Sequence, residues 1–183
     1  MNVGTRRNIE TVFLDRDGVI NRKAADDAYV ASVDDFHFLP GSLHAIRRMS
    51  AHGIRIIVVT NQQGVANGRV GTRALTAIHA RMVADVRRAG GRLVDVLVCP
   101  HLAGTCSCRK PATGLFHEAR RRHRGLSFRS SVVVGDSACD MDAARAIGAE
   151  GILVADDGHG HGEPTRIVVR SLAEAADLIL ADG

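Results

Sequence analysis

The stretch Val12-Phe13-Leu14-Asp15-Arg16-Asp17-Gly18-Val19-Ile20-Asn21 decides how this chain is read. It is an apolar run that halts at two carboxylates two residues apart, with a glycine behind them. A buried strand ending this way puts Asp15 and Asp17 at the carboxyl edge of a sheet, where open α/β sheets bind ligands. Taken alone the motif is weak, because Asp commonly ends strands and opens turns. Its weight comes from what the later segments set beside it.

Four further short apolar runs follow, Ile54–Thr60, Leu93–Cys99, Val132–Asp136 and Gly151–Ala155. Near-continuous apolar runs are expected of parallel strands buried on both faces. Helical patterns lie between and after them at Gly41–Ala51, Thr72–Arg88, Thr113–Arg122, Ala138–Ile147 and Leu172–Leu180. Thr72 is the expected cap of the second helix and Gly90-Gly91 its stop. This alternation predicts a doubly wound, Rossmann-like α/β fold with a parallel sheet, as a single domain over residues 1–183.

In a parallel sheet the first four strand tips share one edge. They carry Asp15 and Asp17, then Thr60-Asn61-Gln62-Gln63-Gly64, then Cys99-Pro100-His101 leading to Arg109-Lys110-Pro111, then Gly135-Asp136 with Asp140 one turn later. Among these, Cys99, His101, Cys106 and Cys108 have the composition of a closed Cys₃His zinc site, a type tied to structure rather than catalysis. The alternative is incidental residues, with buried free Cys behaving as a hydrophobe. Zinc-finger peptides gain ~10–16 kcal/mol from metal, enough to order a loop over residues 99–108 and fix Arg109 and Lys110 over the sheet edge.

Bulk composition narrows the function classes. The chain has 183 residues, 45% hydrophobic and only 3% aromatic, with a net charge of +4. That charge is too small to argue for nucleic acid, and strand-binding surfaces use basic grooves with stacking aromatics. No run approaches the ~20 apolar residues of a membrane span, and the polar first ten residues lack a signal peptide's apolar core. A cytoplasmic protein is expected, without membrane or nucleic-acid partners and as a monomer. Clustered cysteines in a reducing compartment point to metal rather than disulfide.

Asp15-x-Asp17-Gly18, Thr60, Lys110 and Gly135-Asp136-x-x-x-Asp140 resemble, in order, the four motifs of the haloacid dehalogenase superfamily of phosphatases. The resemblance runs from about Ile9 to Val154. It implies that Asp15 is a nucleophile forming an aspartyl-phosphate, and Asp17 a general acid and then base. It implies Mg²⁺ held by Asp15 and Asp136 side chains and the Asp17 carbonyl, with Asp140 set for a metal-bound water. Thr60, with Asn61 beside it, and Lys110 would meet the phosphoryl oxygens where transition-state charge resides.

Asp-Arg-Asp-Gly-Val-Ile-Asn, Thr-Asn-Gln-Gln-Gly-Val-Ala and Cys-Arg-Lys-Pro resemble one branch of that superfamily. This branch, zinc-looped and without a large cap, holds the D-glycero-D-manno-heptose 1,7-bisphosphate phosphatases and the histidinol-phosphate phosphatases. Val19-Ile20-Asn21 resembles the heptose enzymes, which remove the 7-phosphate. The short gap from His101 to Cys106 resembles the histidinol enzymes, and Ser137 stands where some heptose enzymes carry Lys. The heptose reading is favoured. Arg109 is the expected anchor of a second phosphate, since its planar fork suits phosphate oxygens. Arg22, Lys23 and Arg69 are weaker candidates.

Rival readings are a catalytically idle, zinc-stabilised binding protein and a nucleic-acid end phosphatase. Arg120-Arg121-Arg122-His123-Arg124 reads as a solvated face near a helix C-terminus. His159-Gly160-His161 reads as a loop without further ligands, and Cys139 as a small packing residue.

Overall fold

The computed structural model describes residues 8–25, 28–155 and 167–181. Among these, six strands form one sheet: β1 (Thr11–Leu14), β2 (Arg55–Asn61), β3 (Asp95–Cys99), β4 (Ser131–Gly135), β5 (Glu150–Val154) and β6 (Ile167–Val169). Five helices flank it: α1 (Ser42–Ala51), α2 (Thr72–Arg88), α3 (Gly114–Arg122), α4 (Ala138–Ile147) and α5 (Leu172–Ala181). The strand order is β3-β2-β1-β4-β5-β6, and every neighbouring pair is parallel.

The chain winds from β1 through β2 to β3, then returns to the other side of β1 as β4 and winds away again. The direction of winding therefore reverses between β1 and β4. Such a switch leaves a crevice outside the carboxyl ends of the strands. Leu14 pairs with Val58 on one side and Val134 on the other, so Asp15 emerges at that crevice.

Alternate side chains of each strand enter opposite layers. Val12, Leu14, Ile56, Val58, Val132 and Val134 face a core closed by α1, α2 and α5. Phe13, Ile57, Val59, Leu97 and Val133 face a second core closed by α3 and α4. Phe13 meets Phe116 of α3 edge-on, with ring centroids 5.0 Å apart. With so few aromatics, small branched side chains supply most of both layers, each worth ~1.5–3 kcal/mol when fully buried.

Two local expectations change. Thr72 does not cap α2: the cap is Gly71, extended and without a side-chain hydrogen bond, and Thr72 is the first helical residue. β6 has no counterpart among the apolar runs, because it is three residues long, lies at the sheet edge and leaves Val168 50% exposed. The 158–162 loop, with His159 and His161, lies outside the described residues. Among the described residues no helix is long and apolar enough to cross a membrane, and no large cap interrupts the sheet.

Candidate active site

Lys110 is the electrostatic centre of the crevice. It is 3% exposed, and its ammonium lies 2.9 Å from Asp15 Oδ1 and 2.6 Å from Asp140 Oδ1. It also donates to the carbonyl of Val59 at 2.7 Å. A buried cation is tolerated only when paired this closely. Desolvation alone would lower the Lys110 pKa, but the two carboxylates outweigh it and hold it above its ordinary value.

Even so, negative charge is in excess. Asp15, Asp136 and Asp140 each bring an oxygen within 4.8 Å of the others. Burial, with Asp140 and Asp136 adding to it, pushes Asp15 up to about 7 despite the Lys110 charge. Burial also raises Asp136, against its pairing with Lys23. Lys23 is largely exposed and folds its ammonium onto Asp136 as a stand-in cation. Asp140 Oδ1 has the Lys110 ammonium as its close partner. Hard oxygen donors and surplus charge fit a divalent cation such as Mg²⁺.

Two glycines let the loops close on this cluster. Gly18 has φ +85°, and a Cβ there would fall 2.0 Å from Asp136 Oδ2. At Gly135 a Cβ would fall 2.2 Å from the Cβ of Asp140. Either addition would force apart the strand tips that carry the carboxylates.

Asp17 is held on every side. Arg16 donates to both of its oxygens, Asn21 Nδ2 to Oδ1 at 2.9 Å and Gln62 Nε2 to Oδ2 at 2.7 Å. Thr60 lies beneath the crevice, buried, where its hydroxyl accepts from Gln62 at 2.9 Å. Asn61 bonds the backbone of Lys110. Ser137 donates to Asp140. The sequence pattern assigns no role to Arg16, Asn21 or Gln62. An arginine between two aspartates reads as a solvated charge, and nothing in the linear pattern shows that it turns inward.

A cleft of about 410 Å³ opens over these groups, with Asp15, Asp17, Asn61, Arg109, Lys110 and Asp136 in its wall. Arg109 Nη1 is buried without a hydrogen-bond partner among the described residues, which suits an incoming anion. Lys23 lines the cleft, whereas Arg22 and Arg69 are exposed and do not. Cys139 borders the cleft rather than packing inside, its Sγ 3.1 Å from Ser137 Oγ. The basic run at 120–124 is engaged within the chain: Arg120 lies over Phe128, while Arg121 and Arg122 pair with Glu118.

Beside the cleft, Cys99, His101, Cys106 and Cys108 gather their ligand atoms within 4.8 Å. The three sulfurs are 3.2–3.5 Å apart, and the Nδ1 of His101 is 3.2 Å from Cys108 and 3.7 Å from Cys99. A tetrahedron with zinc–sulfur bonds of roughly 2.3 Å has edges of roughly 3.8 Å, so the cluster is close to the size of a Zn²⁺ shell. The ring presents Nδ1 rather than Nε2, a choice the sequence leaves open.

The comparisons agree with this geometry. Residues 107–176 match the family model of HAD-hydrolase-like proteins. A D-glycero-β-D-manno-heptose-1,7-bisphosphate 7-phosphatase of Pseudomonas putida is 39% identical over 158 residues, 86% of this chain and 87% of its own. A D-glycero-α-D-manno-heptose-1,7-bisphosphate 7-phosphatase of Mycobacterium bovis is 40% identical over 139 residues, 75% of this chain and 73% of its own. The crystal structure of D,D-heptose 1,7-bisphosphate phosphatase from B. bronchiseptica, complexed with magnesium and phosphate, superposes with a TM-score of 0.81. It shares 35% identity and covers 95% of this chain and 99% of its own. This chain belongs to the haloacid dehalogenase-like hydrolases, in the family of the heptose 1,7-bisphosphate 7-phosphatases.

Proposed function

We propose that this chain is a Mg²⁺-dependent phosphatase that hydrolyses the 7-phosphate of D-glycero-D-manno-heptose 1,7-bisphosphate. The observation that carries it is Asp15 at the switch point, 2.9 Å from a buried Lys110 and grouped with Asp136 and Asp140. An Asp15 oxygen attacks phosphorus, and the bond from phosphorus to the sugar oxygen breaks. Asp17 gives that leaving oxygen its proton. Water then attacks the aspartyl-phosphate, Asp17 takes its proton, and inorganic phosphate leaves Asp15.

Asp15, Asp136 and the Asp17 carbonyl would hold Mg²⁺, with Asp140 set for a metal-bound water. The cation neutralises phosphate charge so that two anions can meet. Lys110 donates to the equatorial oxygens, with Thr60 and Asn61 at the tip of β2 supporting that contact. Arg109 takes the phosphate that does not react. Cys99, His101, Cys106 and Cys108 bind a structural Zn²⁺. In this reading residues 1–183 act as one domain, a cytoplasmic monomer whose substrate is a small phosphorylated sugar, not nucleic acid or membrane.

The test is phosphate release with Mg²⁺ from the heptose bisphosphate in both anomers, histidinol phosphate and a 5′-phosphorylated oligonucleotide. A kcat/KM far higher on the heptose bisphosphate is expected. Preference for histidinol phosphate would transfer the activity to that substrate. No turnover of any member would favour the binding-protein reading.

A further inference from the structure

Arg16 is 1% exposed, although it follows the first carboxylate of the motif directly. Its Nη2 donates to both oxygens of Asp17 at 2.9 Å, and its Nε to Oδ1 at 3.2 Å. The remaining nitrogen, Nη1, lies 3.0 Å from Nε2 of His79 on α2. A guanidinium has only donors, so His79 must accept at Nε2 and carry its proton on Nδ1. Burial, and then the Arg16 charge, push His79 down to about 4 against the pull of Asp17. The ring is therefore neutral near neutral pH and able to accept.

This arrangement fixes a plane. The fork of Arg16 sets the orientation of the Asp17 carboxyl, and His79 holds the far end of the fork. Without an acceptor at position 79, Nη1 would be a buried, unpaired donor. The guanidinium would then turn to find another partner and carry Asp17 with it. Asn21 and Gln62 each hold Asp17 by a single bond and cannot set its plane alone.

We propose that His79 is a positioning residue: it holds Arg16, and through Arg16 it aims the carboxyl of Asp17 at the leaving oxygen. The inference rests on the function proposed above, in which Asp17 is the general acid. It has a consequence that depends on the leaving group. A sugar alkoxide is strongly basic and must be protonated as it departs, whereas p-nitrophenolate leaves without a proton. Losing the aim of Asp17 therefore slows transfer to Asp15 selectively for the first kind of ester, and kcat/KM reads that step, because hydrolysis of the aspartyl-phosphate is common to both esters.

The experiment measures kcat and KM of the wild type, His79→Leu and His79→Gln on heptose 1,7-bisphosphate and on p-nitrophenyl phosphate, with thermal unfolding of each protein. His79→Leu is expected to lower kcat/KM on the bisphosphate about tenfold, part of the roughly 10²–10⁴-fold that general acid–base catalysis supplies. On the aryl ester, kcat/KM should stay within about twofold, since p-nitrophenolate departs without a proton. His79→Gln keeps an acceptor and should recover most of the loss. Equal losses of kcat/KM on both esters, or no loss of kcat/KM on the bisphosphate, would overturn the proposal. A wild type that fails to turn over the bisphosphate overturns the function proposed above, and this inference with it.

Discussion

Asn61 grips the backbone of Lys110 from both sides: its Oδ1 accepts the Lys110 N–H at 3.0 Å, and its Nδ2 donates to the Lys110 carbonyl at 3.1 Å. The tip of β2 is thereby joined to the residue two positions after the last candidate zinc ligand. Asn61→Ala removes both bonds and strands a backbone donor and acceptor. It should cost about 1–3 kcal/mol in denaturant unfolding. It should also lower kcat about tenfold or more, because small misplacements of charge near the reacting atoms are expensive. Unchanged kcat would mean that the Lys110 ammonium is held by its carboxylates alone.

The contribution of Asp15 to the stability of the metal-free protein should fall as pH rises. Asp15 in the fold has a pKa of about 7, above the ordinary 3.8. Between those values the unfolded chain has released this proton and the folded chain has kept it. The contribution of Asp15 is therefore fully present below the lower value and is lost as pH passes through the upper one. Mg²⁺ prefers the ionised carboxylate and competes with the proton. Its increment in Tm should then be larger at about pH 8 than at about pH 5.5. Equal increments at both would contradict the assignment of Asp15 as a ligand.

Zinc should govern stability and activity together. Cys106→Ser leaves three of the four ligand atoms that converge beside the cleft. Zinc content, unfolding midpoint and kcat should all drop, since Arg109 and Lys110 follow Cys108 directly. Full activity in zinc-stripped protein would exclude this role.

Arg109→Ala should act mainly on binding. Its buried Nη1 has no partner among the described residues and borders the cleft. Removing a contact made equally in the ground and transition states raises KM and spares kcat. The rise should be about tenfold for the bisphosphate, worth ~1.4 kcal/mol, and smaller for a single-phosphate ester. A lower kcat with unchanged KM would place Arg109 at the reacting phosphate instead.

The strands that carry the site were legible because their side chains are buried on both faces, which leaves near-continuous apolar runs such as Ile56–Val59. The carboxylates were legible because they follow those runs directly. β6 was not, since an edge strand with Val168 turned outward needs no such run. Thr72 resembled a cap in sequence, but Gly71 takes the extended conformation first. Arg16 and His79 are 63 positions apart, and only the packing of α2 against the site brings them together. Nor could spacing reveal that Asp140 touches Lys110 directly, because that contact joins a loop to the first turn of α4 across the sheet edge.

The ³¹P NMR spectrum of heptose 1,7-bisphosphate during turnover by the wild type and by Asp15→Asn reports directly which phosphate leaves and whether Asp15 is needed. Loss of the 7-phosphate signal with the 1-phosphate retained, and no change with Asp15→Asn, is the predicted result. Loss of the 1-phosphate, or undiminished turnover by Asp15→Asn, would contradict it.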